Sequence, residues 1–407
     1  MQKKAICDIA KTSRAIASRG DPRLSAIADA VFARRPLTFE QGVYLYRHAP
    51  VAKVCRLADW RRRAYHGDHL YYSNAARLDV VDIDRQRRPR THCLRQIHAR
   101  TVVGDLLCSL LPMSSDNGID DVVIASPLGA PPVPLPFDWW HNLVAAVHSI
   151  APGARVNACA SADVTAMAET AAMSVDAVLV RLAKSGLTSL GPDQMPLRGD
   201  KASLDHWLHV HERAHALGIG SEVALPNRAR NRRCEQRVEQ MLALRSLQEK
   251  SIAKGGKGFR AVATGSRTAF AIERASAATR HDDLRDRAIA RLMLDNVQHI
   301  LGPPLLLFGG TKTASARVIA AAHGGADDLG HVAPDNEGIL RGVVDASGFS
   351  QTRRYTRYPF ARVGWTMPAL DDFYGDEDDR DGKDCQSDDD DNQGDDDDDS
   401  FVWAGHS

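Results

Sequence analysis

A parallel (β/α) barrel is the fold class that this 407-residue chain predicts. Three observations lead there. Short apolar runs alternate with amphipathic helical stretches over roughly 260 residues, the length of one such barrel. Eight of the runs are short enough to be strands, and helical crossovers between strands require parallel pairing. A hydrophobic fraction of 43% can fill the core of one barrel-sized domain or of two domains. A doubly wound open sheet is the competing arrangement, which periodicity alone leaves open.

Residues 1–65 read as an N-terminal helical cap. Leu24, Ile27, Ala28 and Val31 recur at helical spacing, and Thr38 with Gln41 three residues on forms a capping box. The turn residues His66-Gly67-Asp68 then introduce Leu70–Asn74, an aromatic and apolar segment that opens the barrel as a short buried strand. Further strand candidates are Asp121–Ser126, Ala154–Cys159, Leu187–Leu190, Gly220–Leu225, Phe259–Thr264, Pro304–Phe308 and a weak last one near Ala326. Helical stretches lie between them at Trp139–Ile150, Ser161–Lys184, Ser203–Leu217, Arg233–Lys250 and Asp282–Ile300. The barrel is expected over residues 66–370, with residues 371–407 as a disordered acidic tail.

A net charge of zero conceals a split. Residues 371–399 hold 17 acidic and 2 basic residues, so this segment carries −15 and the rest of the chain +15. The tail runs Asp388–Asp391 and Asp395–Asp399 lack the glycine and alternating ligands of a calcium loop, and Phe401-Val402-Trp403 follow them. No run approaches the roughly 18 apolar residues of a membrane span, and the first residues lack the apolar core of a secretory signal. A cytoplasmic protein is expected. Seven scattered cysteines with no C-x2-C pair fit reduced thiols rather than a disulfide framework or a zinc site.

The strand Gly67-Asp68-His69-Leu70-Tyr71-Tyr72-Ser73-Asn74 resembles one found in the aminofutalosine synthase group, radical S-adenosylmethionine (SAM) enzymes of the futalosine route to menaquinone. The resemblance begins near Leu37–Tyr46 and continues through Pro136–Trp140 and Trp207–Ile219. It is strongest at Arg291–Ile300 and still visible at Gly325–Leu329, covering roughly 300 residues. It implies a TIM-type barrel of the radical SAM kind, a 4Fe–4S cluster on three cysteines spaced C-x3-C-x2-C, and SAM. Counting on from Asn74 without a gap places Ile83, Arg87 and Arg90 at those three positions, and none of them can bind iron.

Other loops that the resemblance places at the barrel mouth also depart from the family. Ser126–Pro132 has lost most of a glycine-rich segment, and Gly191-Pro192-Asp193-Gln194-Met195-Pro196 stands where the family has Pro-Gly-Gly-Gly-Ala-Glu. Val223–Ala229 lacks the family's tyrosine and histidine, Ala160 replaces a threonine, and Asp163 keeps only the charge of a glutamate. Scaffold positions such as Arg198, Lys201 and Leu244–Gln248 match. The expectation is a barrel that keeps its fold and has lost its reaction, with no catalytic residue, metal or cofactor, binding a partner or an anionic ligand. The alternative is a divergent enzyme of menaquinone biosynthesis with displaced cluster ligands, or a barrel reused for another reaction.

Arg85, Arg87, Arg88 and Arg90 in the first loop and Arg228, Arg230, Arg232 and Arg233 after the fifth candidate strand would ring one mouth, suited to phosphate, carboxylate or a polyanion. A solvated basic surface is the plainer reading. Expected partners are a second copy of the chain or an intact paralogue, and no membrane. His211-Glu212-Arg213-Ala214-His215 spells H-E-x-x-H, but the resemblance sets it on an outer helix, away from any mouth chemistry. Thr91-His92-Cys93 followed by His98 offers a thiol–imidazole pair, but the geometry that activates such a thiol must come from elsewhere in the fold, and the plainer reading is a non-catalytic cluster.

Overall fold

The computed structural model describes residues 21–81, 95–98, 118–125, 135–196, 201–225, 233–264, 277–303, 311–332 and 336–354. Among the described residues three helices come first: α1 (Pro22–Phe32), α2 (Phe39–Arg47) and α3 (Val51–His66). Asp21 caps α1, and Thr38 with Gln41 forms the reciprocal capping box of α2. Strands β1 (His69–Val81), β2 (Arg95–His98), β3 (Asp121–Ala125), β4 (Arg155–Ala158), β5 (Leu187–Gln194), β6 (Gly220–Ala224), β7 (Phe259–Ala263), β8 (His299–Leu301), β9 (Asp328–Val332) and β10 (Ser350–Arg353) form one sheet. Between and around them run α4 (Phe137–Ile150), α5 (Ser161–Thr170), α6 (Val175–Lys184), α7 (Lys201–Ala216), α8 (Cys234–Ala253), α9 (Ala277–Met293), α10 (Thr311–His323) and α11 (Glu337–Ala346).

The order β1-β3-β4-β5-β6-β7-β8-β9 closes through a β9–β1 pairing, and every ladder is parallel. This is the closed eight-stranded barrel, not the open sheet. The opening strand runs on to Val81, well past Asn74, because its lower half pairs with β9 and β10 and its upper half with β3 and β2. The helices α1 to α3 share an apolar cluster with α8, α9 and the strands they cover, through Leu24, Val31, Leu45, Val54, Trp60, Val238 and Met293.

Two expected elements differ. The single helix over Ser161–Lys184 is broken into α5 and α6, with Ala172 in the left-handed region at φ 50° and the Ser174 hydroxyl accepting the Ala177 N–H as a new cap. The seventh barrel strand is β8, His299–Leu301, which falls inside the stretch expected as helix; the expected strand Pro304–Phe308 lies outside the described residues. At Gly191 inside β5, φ is +118° and an added Cβ would stand 2.2 Å from the Glu222 carbonyl oxygen, so only glycine fits beside β6.

Ion pairs fill the N-terminal end of the barrel. Arg155 donates from Nε and Nη2 to the two oxygens of Asp121, each at 2.8 Å, and Asn157 Nδ2 adds a bond to Asp121 at 3.0 Å. Arg260 reaches Asp121 at 3.5 Å and also pairs with Glu222. Because β3 and β7 are not neighbours in the sheet, the Asp121–Arg260 contact crosses the interior. Arg354, just past β10, contacts Asp328 at 3.2 Å, Glu222 at 3.4 Å and Ser73 at 3.3 Å. Three carboxylates thus meet three guanidiniums, all buried. Burial pushes the Asp121 carboxyl up, but Arg260 and Arg155 outweigh it and hold it well below the usual carboxylate range.

Removing one partner of a buried pair leaves an uncompensated charge, so Asp121→Asn should cost about 3–5 kcal/mol, read as a lowered urea midpoint. An unchanged midpoint would show that the floor contributes nothing to stability.

Candidate active site

In a parallel barrel the chemistry sits at the C-terminal ends of the strands, and two carboxylates stand there. Asp163 follows β4 in the first turn of α5, and Asp193 is the penultimate residue of β5. Asp163 Oδ2 accepts the Ala160 N–H at 2.8 Å, and Asp193 Oδ2 accepts the Ser161 N–H at 2.9 Å. Asp163 is 3% exposed, and its Oδ1 is buried without a hydrogen-bond partner. Burial first, and the Asp193 charge as well, push the Asp163 carboxyl up to about 6 against one backbone hydrogen bond that pulls it down. A carboxyl tuned toward neutrality is suited to accepting and donating a proton at ordinary pH.

The expectation of four mouth segments depleted of polar chemistry therefore needs correcting in two of them. The segment after β4 and the end of β5 each retain a carboxylate, and Gly191–Gln194 is strand rather than loop. The sequence carried a signal in Asp193 itself, which stands near the expected glutamate. The other two segments lie wholly or mostly outside the described residues. So do Ile83, Arg85, Arg87, Arg88, Arg90, Arg228, Arg230 and Arg232; of the proposed arginine ring only Arg233 is described, exposed at the start of α8.

Three described thiols are free: Cys55 on α3, Cys159 directly after β4 and Cys234 at the start of α8. Burial raises the Cys55 thiol to about 11 and lifts Cys159 well above its usual range, with the charge of Asp163 adding to the latter. Set on three separate elements, these thiols do not fit a cluster that needs three thiolates together. The stretch 82–94, where a cluster loop would fall, lies outside the described residues.

His211 and His215 share one face of α7, as an H-E-x-x-H helix requires, but both rings are already engaged. His211 contacts Asp193 at 3.1 Å and Ser221 at 2.8 Å; His215 contacts Ser221 and Ser251, each at 2.9 Å. Glu212 points the other way, to Lys250 and Lys254. A zincin site needs the intervening glutamate beside the two imidazoles, which this helix does not provide. A second group, His66, His299 and Asp327, brings three ligand atoms within 4.8 Å of one another beside β8 and β9. His66 Nε2 faces Asp327 Oδ2 at 3.3 Å and the Gln298 carbonyl at 3.1 Å, two acceptors, so that nitrogen carries the hydrogen. Asp327 also takes the Ile300 N–H at 2.9 Å and pairs with Arg291. Its charge is matched by a guanidinium, and the group works as an ion-pair clasp joining α3 and α9 to the barrel.

The chain matches no protein-family profile. It is 27% identical to the aminodeoxyfutalosine synthase of Thermus thermophilus over 312 residues, 69% of this chain and 78% of that protein. It is 29% identical to the cyclic dehypoxanthine futalosine synthase of Streptomyces coelicolor over 206 residues, about half of each. Among solved structures, the hydrogenase maturase HydG superposes with a TM-score of 0.55 at 13% identity, covering 86% of this chain and 79% of that one. Methylornithine synthase PylB gives 0.53 at 12% identity, covering 80% and 97%. The fold is thus that of the radical SAM barrels. Within that class, the chain is a relative of the aminofutalosine synthases.

These matches correct the expectation that no cofactor is used. The relatives and structural neighbours are radical SAM proteins, the class that works with a 4Fe–4S cluster and SAM. Three replaced positions in an ungapped count do not show that the cluster is lost, since the count runs seven residues further along β1 than the strand on which it was anchored. Among the described residues no helix is long and apolar enough to cross a membrane.

Burial lowers His66 from its ordinary 6.5 to about 3, and does the same to His331, which lies 3.4 Å from Glu222 in the barrel floor. Both are folded as neutral rings, while the unfolded chain binds protons on them below pH 6.5. Their contribution is therefore complete above that pH and is lost as the pH falls towards 3. The urea midpoint should fall steadily between about pH 6.5 and pH 4, and a flat profile would contradict the burial of these rings.

Proposed function

We propose that this protein is a divergent enzyme of the aminofutalosine synthase family that binds a small polar molecule at the C-terminal mouth and handles its proton through Asp163. The observation that carries this reading is the carboxyl itself: buried, with Oδ1 unpartnered, pushed up to about 6 and set beside a second carboxylate. A barrel kept only as a shell has no use for such a group, because an unpaired buried carboxyl costs stability. A hydroxyl or amino group of a bound molecule would complete the hydrogen bonding of Oδ1.

The other reading is a non-catalytic barrel that takes an anionic ligand, a second copy or an intact paralogue. It draws on the excess of 15 positive charges outside the acidic segment 371–399 and on the arginines of the first and fifth loops. Calorimetric titration with SAM and with adenosine separates the two. Binding by the wild type that weakens on the order of 10²-fold in Asp163→Asn, with the unfolding midpoint kept, is expected, because asparagine retains the oxygen that caps α5 but cannot carry the proton. Infrared difference spectra should show one carboxyl titrating near pH 6 that Asp163→Asn removes. No titrating carboxyl, together with binding only to a generic polyanion, would leave the non-catalytic reading standing.

A further inference from the structure

The H-E-x-x-H histidines, which the candidate site does not absorb as zinc ligands, belong to a continuous buried hydrogen-bonded chain. It runs from Asp193 Oδ2 to His211 Nε2 (3.1 Å), His211 Nδ1 to Ser221 Oγ (2.8 Å), Ser221 Oγ to His215 Nε2 (2.9 Å) and His215 Nδ1 to Ser251 Oγ (2.9 Å). All five residues are at most 4% exposed. The Trp207 ring lies tilted at 4.1 Å from the His211 ring, and Phe259 packs on both imidazoles, so the chain is sheathed by aromatic surface.

The chemistry of the groups sets the direction of every hydrogen. With Asp193 as a carboxylate, an acceptor only, His211 must donate from Nε2, which leaves its Nδ1 to accept from the Ser221 hydroxyl. Ser221 Oγ then accepts from His215 Nε2, and His215 Nδ1 accepts from the Ser251 hydroxyl. Every donor points towards Asp193. Burial holds the His215 ring neutral, as such an order requires. The far end, Ser251, lies one turn from the exposed Lys254-Gly255 at the end of α8.

We propose that Ser251, His215, Ser221 and His211 form a proton conduit that recharges the Asp163–Asp193 pair from the opposite surface of the protein. This rests on the reading of Asp163 as the proton-handling group. One proton enters at Ser251 Oγ; the Ser251 hydrogen passes to His215 Nδ1, the His215 Nε2 hydrogen to Ser221, the Ser221 hydrogen to His211 Nδ1, and the His211 Nε2 hydrogen to Asp193. One proton goes in and one arrives, no electron moves, and both imidazoles end as the opposite tautomer. Supply from this side allows the mouth to stay closed around a bound molecule while its acid is renewed. The charged and titratable groups bordering the route are Asp163 and Cys159 at the mouth, and Glu212, Lys250 and Lys254 outside α7 and α8.

The test follows protonation of the carboxyl band by infrared spectroscopy after a rapid pH drop, on the full chain. In Ser251→Ala the rate should fall by about tenfold or more while the titration midpoint stays near that of the wild type. Ser221→Ala should slow it similarly, and Ser221→Thr, which restores a hydroxyl, should recover it. Nitrogen NMR of labelled histidine should show His211 and His215 both as Nε2–H tautomers at neutral pH. If Ser221→Ala does not fold, Ser251→Ala and the tautomers decide. Wild-type rates in Ser251→Ala, or opposed tautomers in the two rings, would make the chain purely structural and leave the Asp163 reading intact. Absence of any protonated carboxyl band in the wild type overturns both.

Discussion

Asp121 cannot leave water unless guanidinium groups leave with it, and that constraint organises the barrel. Its two close partners sit on strands with different positions around the ring, Arg155 on the neighbouring β4 and Arg260 across the interior on β7. Such a network gains little over a well-packed apolar floor in net stability, because the desolvation of six charged groups offsets their attraction. What it adds is selection. A closure in which β3 and β7 did not face one another would strand at least one buried charge, at a cost that hydrophobic burial cannot distinguish strand by strand. Arg354 extends the same logic to the segment after β10, whose entry into the floor is fixed by Glu222, Asp328 and Ser73.

The outer helices are held by a second clasp of the same kind. Arg291 on α9 and His66 at the end of α3 both close on Asp327, which also receives the Ile300 N–H at the start of the barrel's last quarter. The strongest stretch of family resemblance, Arg291–Ile300, lies along this clasp. Its residues are therefore explained by position rather than by chemistry: they decide where α3 and α9 meet the sheet, and a relative with a different reaction would need them equally.

The barrel was legible because seven of its strands or strand regions are bounded apolar runs separated by helical patterns. Helix ends with a side-chain cap, such as Thr38 with Gln41, were legible for the same local reason. His299–Leu301 was not, since three residues are too few to show a period and they follow a helix whose apolar spacing runs straight into them. The break at Ala171–Ser174 was hidden because apolar residues continue in helical register on both sides. At the site, Asp163 was visible as a charge, but nothing in a linear sequence shows that its Oδ1 has no partner. The chain of His211, Ser221, His215 and Ser251 joins two helices and a strand, and only the two histidines at spacing four left a trace. That trace pointed to a metal motif, because the pattern specifies a shared helix face and not what lies opposite it.

The two ends of the barrel handle buried charge in opposite ways. At the N-terminal end each carboxylate has a guanidinium, and a neutral His331 fills the remaining space, so a charged ligand there would have to break pairs already made. At the C-terminal end Asp163 and Asp193 accept hydrogen bonds from backbone N–H groups, and Asp193 also meets the His211 imidazole; among the described residues no guanidinium pairs with either. Two like charges in a buried place raise the proton affinity of one of them. The asymmetry confines proton chemistry to the mouth without any contribution from the changed loops: whatever the protein binds, the carboxyl that can exchange a proton with it is at the end where a parallel barrel opens, and the end that is closed by ion pairs has none to offer.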